Sequence, residues 1–233
     1  KWLSENEALP WSEALIEHYA ERWDWSVLSL NESLPWSEVL IGCYAKRWNW
    51  GNQGLGPGLS RNESLPWSDV LIDRYAENWD WGGRWGLGLN RALPWSEAFI
   101  ERYTELWNWE ALSSNTALPW SENFIKRYAE FWNWKVLSRN TALPWSETFI
   151  KRYAEFWNWK ALSSNTALPW SQRLISYYTD RWAWGSLSEN TAIPWSHELF
   201  EHFAECLNIQ GIARHYDGNI QCLIRQQVNR LIL

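Results

Sequence analysis

Apolar and polar positions follow two nested periods along this chain. The inner period is helical. In the segment from Glu13 to Trp23, the residues Leu15, Ile16, Tyr19, Ala20 and Trp23 fall on one face of a 3.6-residue helix. The outer period is about 25 residues. Eight Pro-Trp-Ser triplets have their prolines at 10, 35, 66, 94, 119, 144, 169 and 194, with spacings of 25, 31, 28, 25, 25, 25 and 25. The shared pattern reads LSxNxxLPWSxxLIxxYxxxWxW. A fixed period of this size marks a tandem array, so each residue is interpreted through its place in the repeat.

The polar punctuation predicts two helices per repeat. Ser12 is a good N-cap, Glu13 sits at the positive end of the helix dipole, and Trp11 with Ile16 fits a hydrophobic staple. The first helix is therefore expected over 13–23, with Pro10 keeping the preceding segment from running into it. A shorter helix is expected over Trp25–Ser29. Asp24 is its cap, as are Asn49, Asp80, Asn108, Asn133 and Asn158 in later repeats, with Ala183 the exception. Asn31 would end it, as a residue that tolerates the left-handed conformation. The same asparagine recurs as Asn6, Asn62, Asn90, Asn115, Asn140, Asn165 and Asn190. The helical period and the regular caps argue against strands.

One unit of this length cannot bury enough apolar surface to offset the entropy of ordering its own chain, so it must pack against its neighbours. The expected fold is all-α: an α-solenoid of eight two-helix repeats of about 25 residues with a C-terminal capping helix. Residues 1–9 are expected to be the end of a preceding repeat, because Leu3-Ser4-Glu5-Asn6 matches the LSxN segment. Residues 10–213 are the array. Residues 214–233 form a cap or a dimerisation helix, with self-association through the apolar face of 220–233. Two Gly-rich insertions, 51–58 and 82–86, replace the start of the short helix in the second and third repeats. Neither has the strand context or the ending of a phosphate-binding loop.

The unit resembles Trp-rich short tandem repeats of uncharacterised bacterial proteins and, more weakly, repeats in large DNA viruses. The likeness spans residues 3–213. It implies a repeat architecture and supplies no activity. The unit differs from choline-binding repeats, which are hairpins without the Pro-Trp-Ser cap.

Composition narrows the function classes. The chain carries 21 Lys+Arg against 27 Asp+Glu, which argues against a dedicated nucleic-acid binder. No apolar run approaches the length of a membrane span, and no signal-peptide pattern stands at the start. Cys43, Cys206 and Cys222 form no CxxC pair and read as reduced thiols of a cytosolic protein. A first residue Lys1 and the absence of methionine suggest a piece of a longer product.

Candidate chemistry is sparse. Twenty-two of the 24 tryptophans recur with the period, as a core does, leaving Trp2 and Trp85 outside it. His202 and Cys206 stand at i,i+4, but no further metal ligand converges in the sequence, and no cofactor is expected. No Ser/His/Asp set or carboxylate pair stands out against the repeat, so the chain is expected not to be an enzyme. Positions that vary between repeats are more telling. The residue before the first Trp of WxW is polar in most repeats but is Leu106, Phe131 and Phe156 in three central ones. Arg102, Arg127 and Arg152 lie four residues earlier and are expected to stack on them; Lys126 and Lys151 adjoin. This stripe is the candidate partner-binding face for another protein. The alternatives are a glycan or small-molecule site at exposed indoles near Arg84 and Trp85, or self-assembly into a filament. The repeat argument has a direct check. A peptide of residues 143–167 is expected to show a coil-like far-UV circular dichroism spectrum, and a cooperative thermal transition in that peptide would refute obligatory stacking.

Overall fold

The computed structural model describes residues 2–51 and 56–207. Among these residues the chain is all-helical, with thirteen short α-helices and two 3-10 turns, in a pattern that repeats with the tryptophans. The one strand-like feature among them is an isolated antiparallel bridge between Gly51 and Trp79. The chain divides into two compact units, residues 1–132 and 133–233. The terminal helix expected over 220–233 lies outside the described residues.

The first helix of each repeat is capped as its sequence dictates. The hydroxyls of Ser12, Ser37, Ser68, Ser96, Ser121, Ser146, Ser171 and Ser196 each accept from the backbone N–H three residues on. Proline has a further part in this entry. In every Leu-Pro-Trp segment the Trp N–H donates to the Leu carbonyl two residues back, at 2.7 Å in Leu9-Pro10-Trp11 and 2.7 Å in Leu143-Pro144-Trp145. A three-residue turn of this kind suits a central residue whose φ the ring holds near the required value.

These helices are shorter than the periodicity predicts. The first runs over Glu13–His18 and not to residue 23, and its counterparts are Glu38–Cys43, Asp69–Arg74, Glu97–Arg102, Glu122–Arg127, Glu147–Arg152 and Gln172–Tyr177. An indole occupies the carbonyl at which these helices stop. Trp23 Nε1 donates to the Ile16 carbonyl at 3.0 Å, while the Ala20 N–H, its ordinary helical partner, turns to Glu17 O. The same bond recurs from Trp48 to Ile41, Trp79 to Ile72, Trp107 to Ile100, Trp132 to Ile125, Trp157 to Ile150 and Trp182 to Ile175. Each first WxW tryptophan thus caps an orphan carbonyl at the end of its own helix; in the last repeat, where Leu207 stands in its place, the Ala204 N–H makes the same turn to Glu201 O. The staple ring finds an indole too, with Trp11 and Trp23 centroids 5.2 Å apart.

The second helix follows its cap except after Asn49 and Asp80, where the inserted loops leave only the 3-10 turns Leu59–Arg61 and Leu87–Leu89, without a side-chain cap. Trp25–Leu28, Trp109–Ser114, Trp134–Leu137 and Trp159–Ser163 start from Asp24, Asn108, Asn133 and Asn158, whose side chains accept from the backbone three residues on. Trp184–Ser188 starts from Ala183 without such a bond. Its closing asparagine departs from the sequence expectation. No non-glycine among the described residues has positive φ, and Asn62, Asn90 and Asn115 are extended, at φ −75°, −76° and −76°. These asparagines are buried, and their side chains are consumed by the stack. Asn165 Oδ1 accepts from Ala167 N at 2.9 Å, and its amide donates to Ser138 O and Asn140 O of the preceding repeat at 3.1 and 3.4 Å. Asn62, Asn90, Asn115 and Asn190 bridge backward in the same way. The serine two residues earlier completes the seam: Ser138 Oγ donates to Trp134 O and accepts from Asn158 N of the next repeat.

Around this polar seam the apolar positions interlock. The first WxW tryptophans of the second to seventh repeats are only 2–5 % exposed, and Ile41, Ile72, Ile100, Ile125, Ile150 and Ile175 are fully buried. The second WxW tryptophan reaches across to the next repeat. Trp25 lies 4.7 Å from Tyr44 and 4.7 Å, edge-on, from Trp48; Trp159 meets Tyr178 and Trp182 at 4.6 and 4.9 Å.

The insertions leave this register intact. After the first, Leu59 N returns to Asn49 O at 2.8 Å, and Ser60 Oγ donates to Trp50 O and accepts from Asp80 N as its counterparts do. Gly58 makes the return possible, because a Cβ there would stand 2.1 Å from Asn49 O. Removing one rung should be costly. Asn165→Ala leaves two carbonyls of the preceding repeat short of a donor and is expected to cost about 2–3 kcal/mol, against less than about 0.5 kcal/mol for exposed Ser164→Ala. Urea unfolding of both variants checks this, and equal midpoints would refute a structural role for the amide.

Candidate functional site

With the first helix ending at its sixth residue, the side chains expected to form one stripe separate into two environments. In the first unit, Arg102 and Arg127 do not stack on Leu106 and Phe131. Because the helices stop at Arg102 and Arg127, the residues four further on no longer share a helical face with them. The guanidinium groups turn instead to carboxylates of the preceding repeat. Arg102 Nη2 lies 2.7 Å from Asp73 and its Cζ 5.4 Å over the Tyr103 ring. Arg127 Nη1 lies 3.3 and 3.8 Å from Glu97 and Glu101. Lys126 is exposed on the same helix.

Leu106, Phe131 and Phe156 are 47, 46 and 58 % exposed, unusual for apolar side chains of this size. Phe131 stacks on Trp109 of the preceding repeat at 4.9 Å and 25°, and Phe156 on Trp134 at 5.0 Å and 30°. In the second and seventh repeats the same position holds arginine, and Arg47 and Arg181 lie 5.6 and 5.5 Å over Trp25 and Trp159. Arg181 also donates to Ala154 O and pairs with Glu155. The variable position therefore serves as a lid on the second WxW indole of the repeat before it. Arginine makes the lid hydrophilic, while phenylalanine leaves an apolar ring facing water.

In the second unit Lys151, Arg152 and Phe156 are all exposed. Lys151 Nζ lies 5.7 Å over the ring of Tyr177, which is 64 % exposed. These two, with Glu147, Arg173, Leu174 and Tyr178, line a concave pocket of about 200 Å³. Sequence reading singled out Lys151 and passed over the pocket. The available signal was Ser176-Tyr177-Tyr178, which breaks the Lys-Arg-Tyr of the two preceding repeats. A wider groove of about 640 Å³ lies at the first repeat, lined by Leu15, Tyr19 and Trp23 together with Trp2, which is 89 % exposed. Trp85 is 42 % exposed, with Arg84 5.3 Å over its ring.

The tyrosines that close each first helix show how the repeats tune one contact. Tyr103 donates its hydroxyl to Asp73 of the preceding repeat. Burial first, then that bond and the aspartate's charge, push its ionisation up to about 12. Burial also raises Tyr44 and Tyr178. Among the described residues no group of three His, Cys, Asp or Glu side chains is placed to hold a metal ion, and Cys43 and Cys206 are free and exposed. No described helix is long and apolar enough to cross a membrane. Chemically, the surface offers cations, exposed aromatic rings and hydroxyl donors.

The fold and these surfaces define a tryptophan-rich, all-helical protein with a tandem-repeat pattern. No protein-family model, curated protein or solved structure matches the chain. The Tyr103–Asp73 contact sets a pH dependence. A group that ionises near 10 when unfolded and at about 12 when folded contributes stability that is complete below pH 10 and lost as pH rises towards 12. Absorbance titration of the tyrosinates should show a late-ionising component that moves earlier in Asp73→Asn, and an unchanged titration would refute the assignment.

Proposed function

We propose that this chain is a non-catalytic α-solenoid scaffold, its eight two-helix repeats presenting one face to another protein. The supporting observation is a division of roles between positions. Residues that recur with the period turn their side chains into the stack, where indole N–H groups and asparagine amides are spent on backbone carbonyls. Residues that differ between repeats lie outside. In the central repeats they include the exposed rings Phe131 and Phe156, and each unit carries exposed basic side chains as well, Lys126 and Arg127 in the first and Lys151 and Arg152 in the second. Exposed rings and exposed cations suit an acidic or mixed protein surface, where an apolar anchor supplies affinity and charge supplies orientation. A second reading, a glycan or small-molecule site, draws on the half-exposed ring of Trp85 under Arg84.

The lid comparison supplies a test that spares the fold. In Phe131→Arg plus Phe156→Arg each lid becomes the arginine already used by the second and seventh repeats. Far-UV circular dichroism should be unchanged and recovery of the partner in a cross-linked pull-down should fall at least about tenfold, as for loss of central apolar anchors. Full recovery by the double variant would overturn the proposed face.

A further inference from the structure

We propose that the pocket between the helices Glu147–Arg152 and Gln172–Tyr177 is a carboxylate-binding subsite, taking a glutamate or aspartate side chain of the protein partner. The inference deepens the reading above and rests on it only for the carboxylate belonging to a protein. Its basis is one contact that occurs in two forms. Between the third and fourth repeats, Asp73 accepts from the Tyr103 hydroxyl and pairs with Arg102, so the chain supplies its own carboxylate. Lys151 occupies the place of Asp73 one helix before Tyr178, so the acceptor there is replaced by a cation. The Tyr178 hydroxyl is buried without a hydrogen-bond partner, on a residue only 8 % exposed, and Tyr178 and Lys151 line the same pocket. Burial holds that phenol protonated and able to donate.

The other charges agree with an anion. Glu147 is on the pocket wall, but Arg173 Nε stands 3.5 Å from it and Ser171 Oγ donates to it at 3.3 Å. Nearby Arg181 is likewise held by Glu155. With Glu147 offset by Arg173, the wall keeps the positive charge of Lys151 and, in Tyr178, a buried hydroxyl donor without a partner. That is the complement of a carboxylate, the group Asp73 provides elsewhere in this chain. A volume of about 200 Å³ admits a side-chain carboxylate, and the exposed Tyr177 ring, already under Lys151, borders the opening. Tyr128 makes the contrast: its hydroxyl too has no partner, but the preceding repeat sets Glu97 and Glu101 there and Arg127 already binds them.

The test uses the whole chain with ring-labelled tyrosines, titrated by NMR with N-acetyl-glutamate amide and with its glutamine counterpart. The expected result is a saturable shift of Tyr177 and Tyr178 for the glutamate probe alone. Tyr178→Phe should weaken binding about tenfold, as for loss of one charge-assisted hydrogen bond. The fold tolerates phenylalanine there, because Phe203 holds the equivalent place in the next repeat and packs 5.1 Å from Trp184. Lys151→Asp should abolish binding by recreating the internal carboxylate, with the Tyr178 ionisation moving further up. Equal responses to the two probes, or unchanged affinity in both Lys151→Asp and Tyr178→Phe, would overturn the subsite. Loss of partner recovery in the lid double variant with no glutamate response rejects this inference alone. A glutamate response without a partner that depends on the lids keeps the carboxylate site and removes the protein-face reading.

Discussion

The backbone carbonyl of one asparagine per repeat carries more of this structure than any other group. Asn90 O accepts from Trp95 Nε1 within its own repeat at 3.0 Å and from the Asn115 amide of the next at 3.0 Å. Asn165 O does the same with Trp170 and Asn190. A carbonyl has two acceptor sites, and both are filled, one by the indole that begins the next helix and one by the next rung. Buried backbone groups at the ends of such short helices would otherwise be unsatisfied and expensive. This is how helices of four to seven residues, too short to persist alone, become a stable array.

The same economy explains the number of tryptophans. The three indoles of a repeat donate to three different backbone carbonyls, as Trp145, Trp157 and Trp159 do to Asn140, Ile150 and Ala154. Each ring fills core volume and each N–H ends or joins a segment, so a phenyl ring could replace the packing but not the cap. Trp195 is the informative exception, a buried indole N–H without a partner in the last repeat. The seam also defines where the array tolerates change. Insertions enter between the WxW and the serine, and the chain returns to register at Ser60 or at Leu87, whose N–H reaches Asp80 O at 2.7 Å. Where serine is replaced by Gly88, its carbonyl still receives the Asn115 amide, and Asn108 N turns to Trp81 O.

With the inward positions committed to stacking, functional variation is confined to outward ones. The candidate residues were only partly legible in the sequence. Leu106, Phe131 and Phe156 were visible as an apolar break in a polar series, but the place of Phe131 and Phe156 over an indole of the preceding repeat was not, because that contact spans more than twenty residues. The arginines were visible as charges on a helix. Their direction, towards Asp73 or towards Glu97 and Glu101, depended on the helix ending earlier than its apolar period suggested. Lys151 was visible, whereas its pocket with Tyr178 needed two repeats in register.

The sequence by itself determined the helical class, the repeating pattern, the serine caps, the caps at Asp24, Asn108, Asn133 and Asn158 and much of the inward set of apolar residues, because each depends on contacts within a few positions of the chain. Tertiary structure decided where each helix stops, which conformation the closing asparagine adopts and which lid covers which ring. Those outcomes turn on single hydrogen bonds and ring contacts between segments brought together by folding. An indole seven residues downstream takes the Ile16 carbonyl at the helix end, and no pattern of apolar spacing encodes that contact.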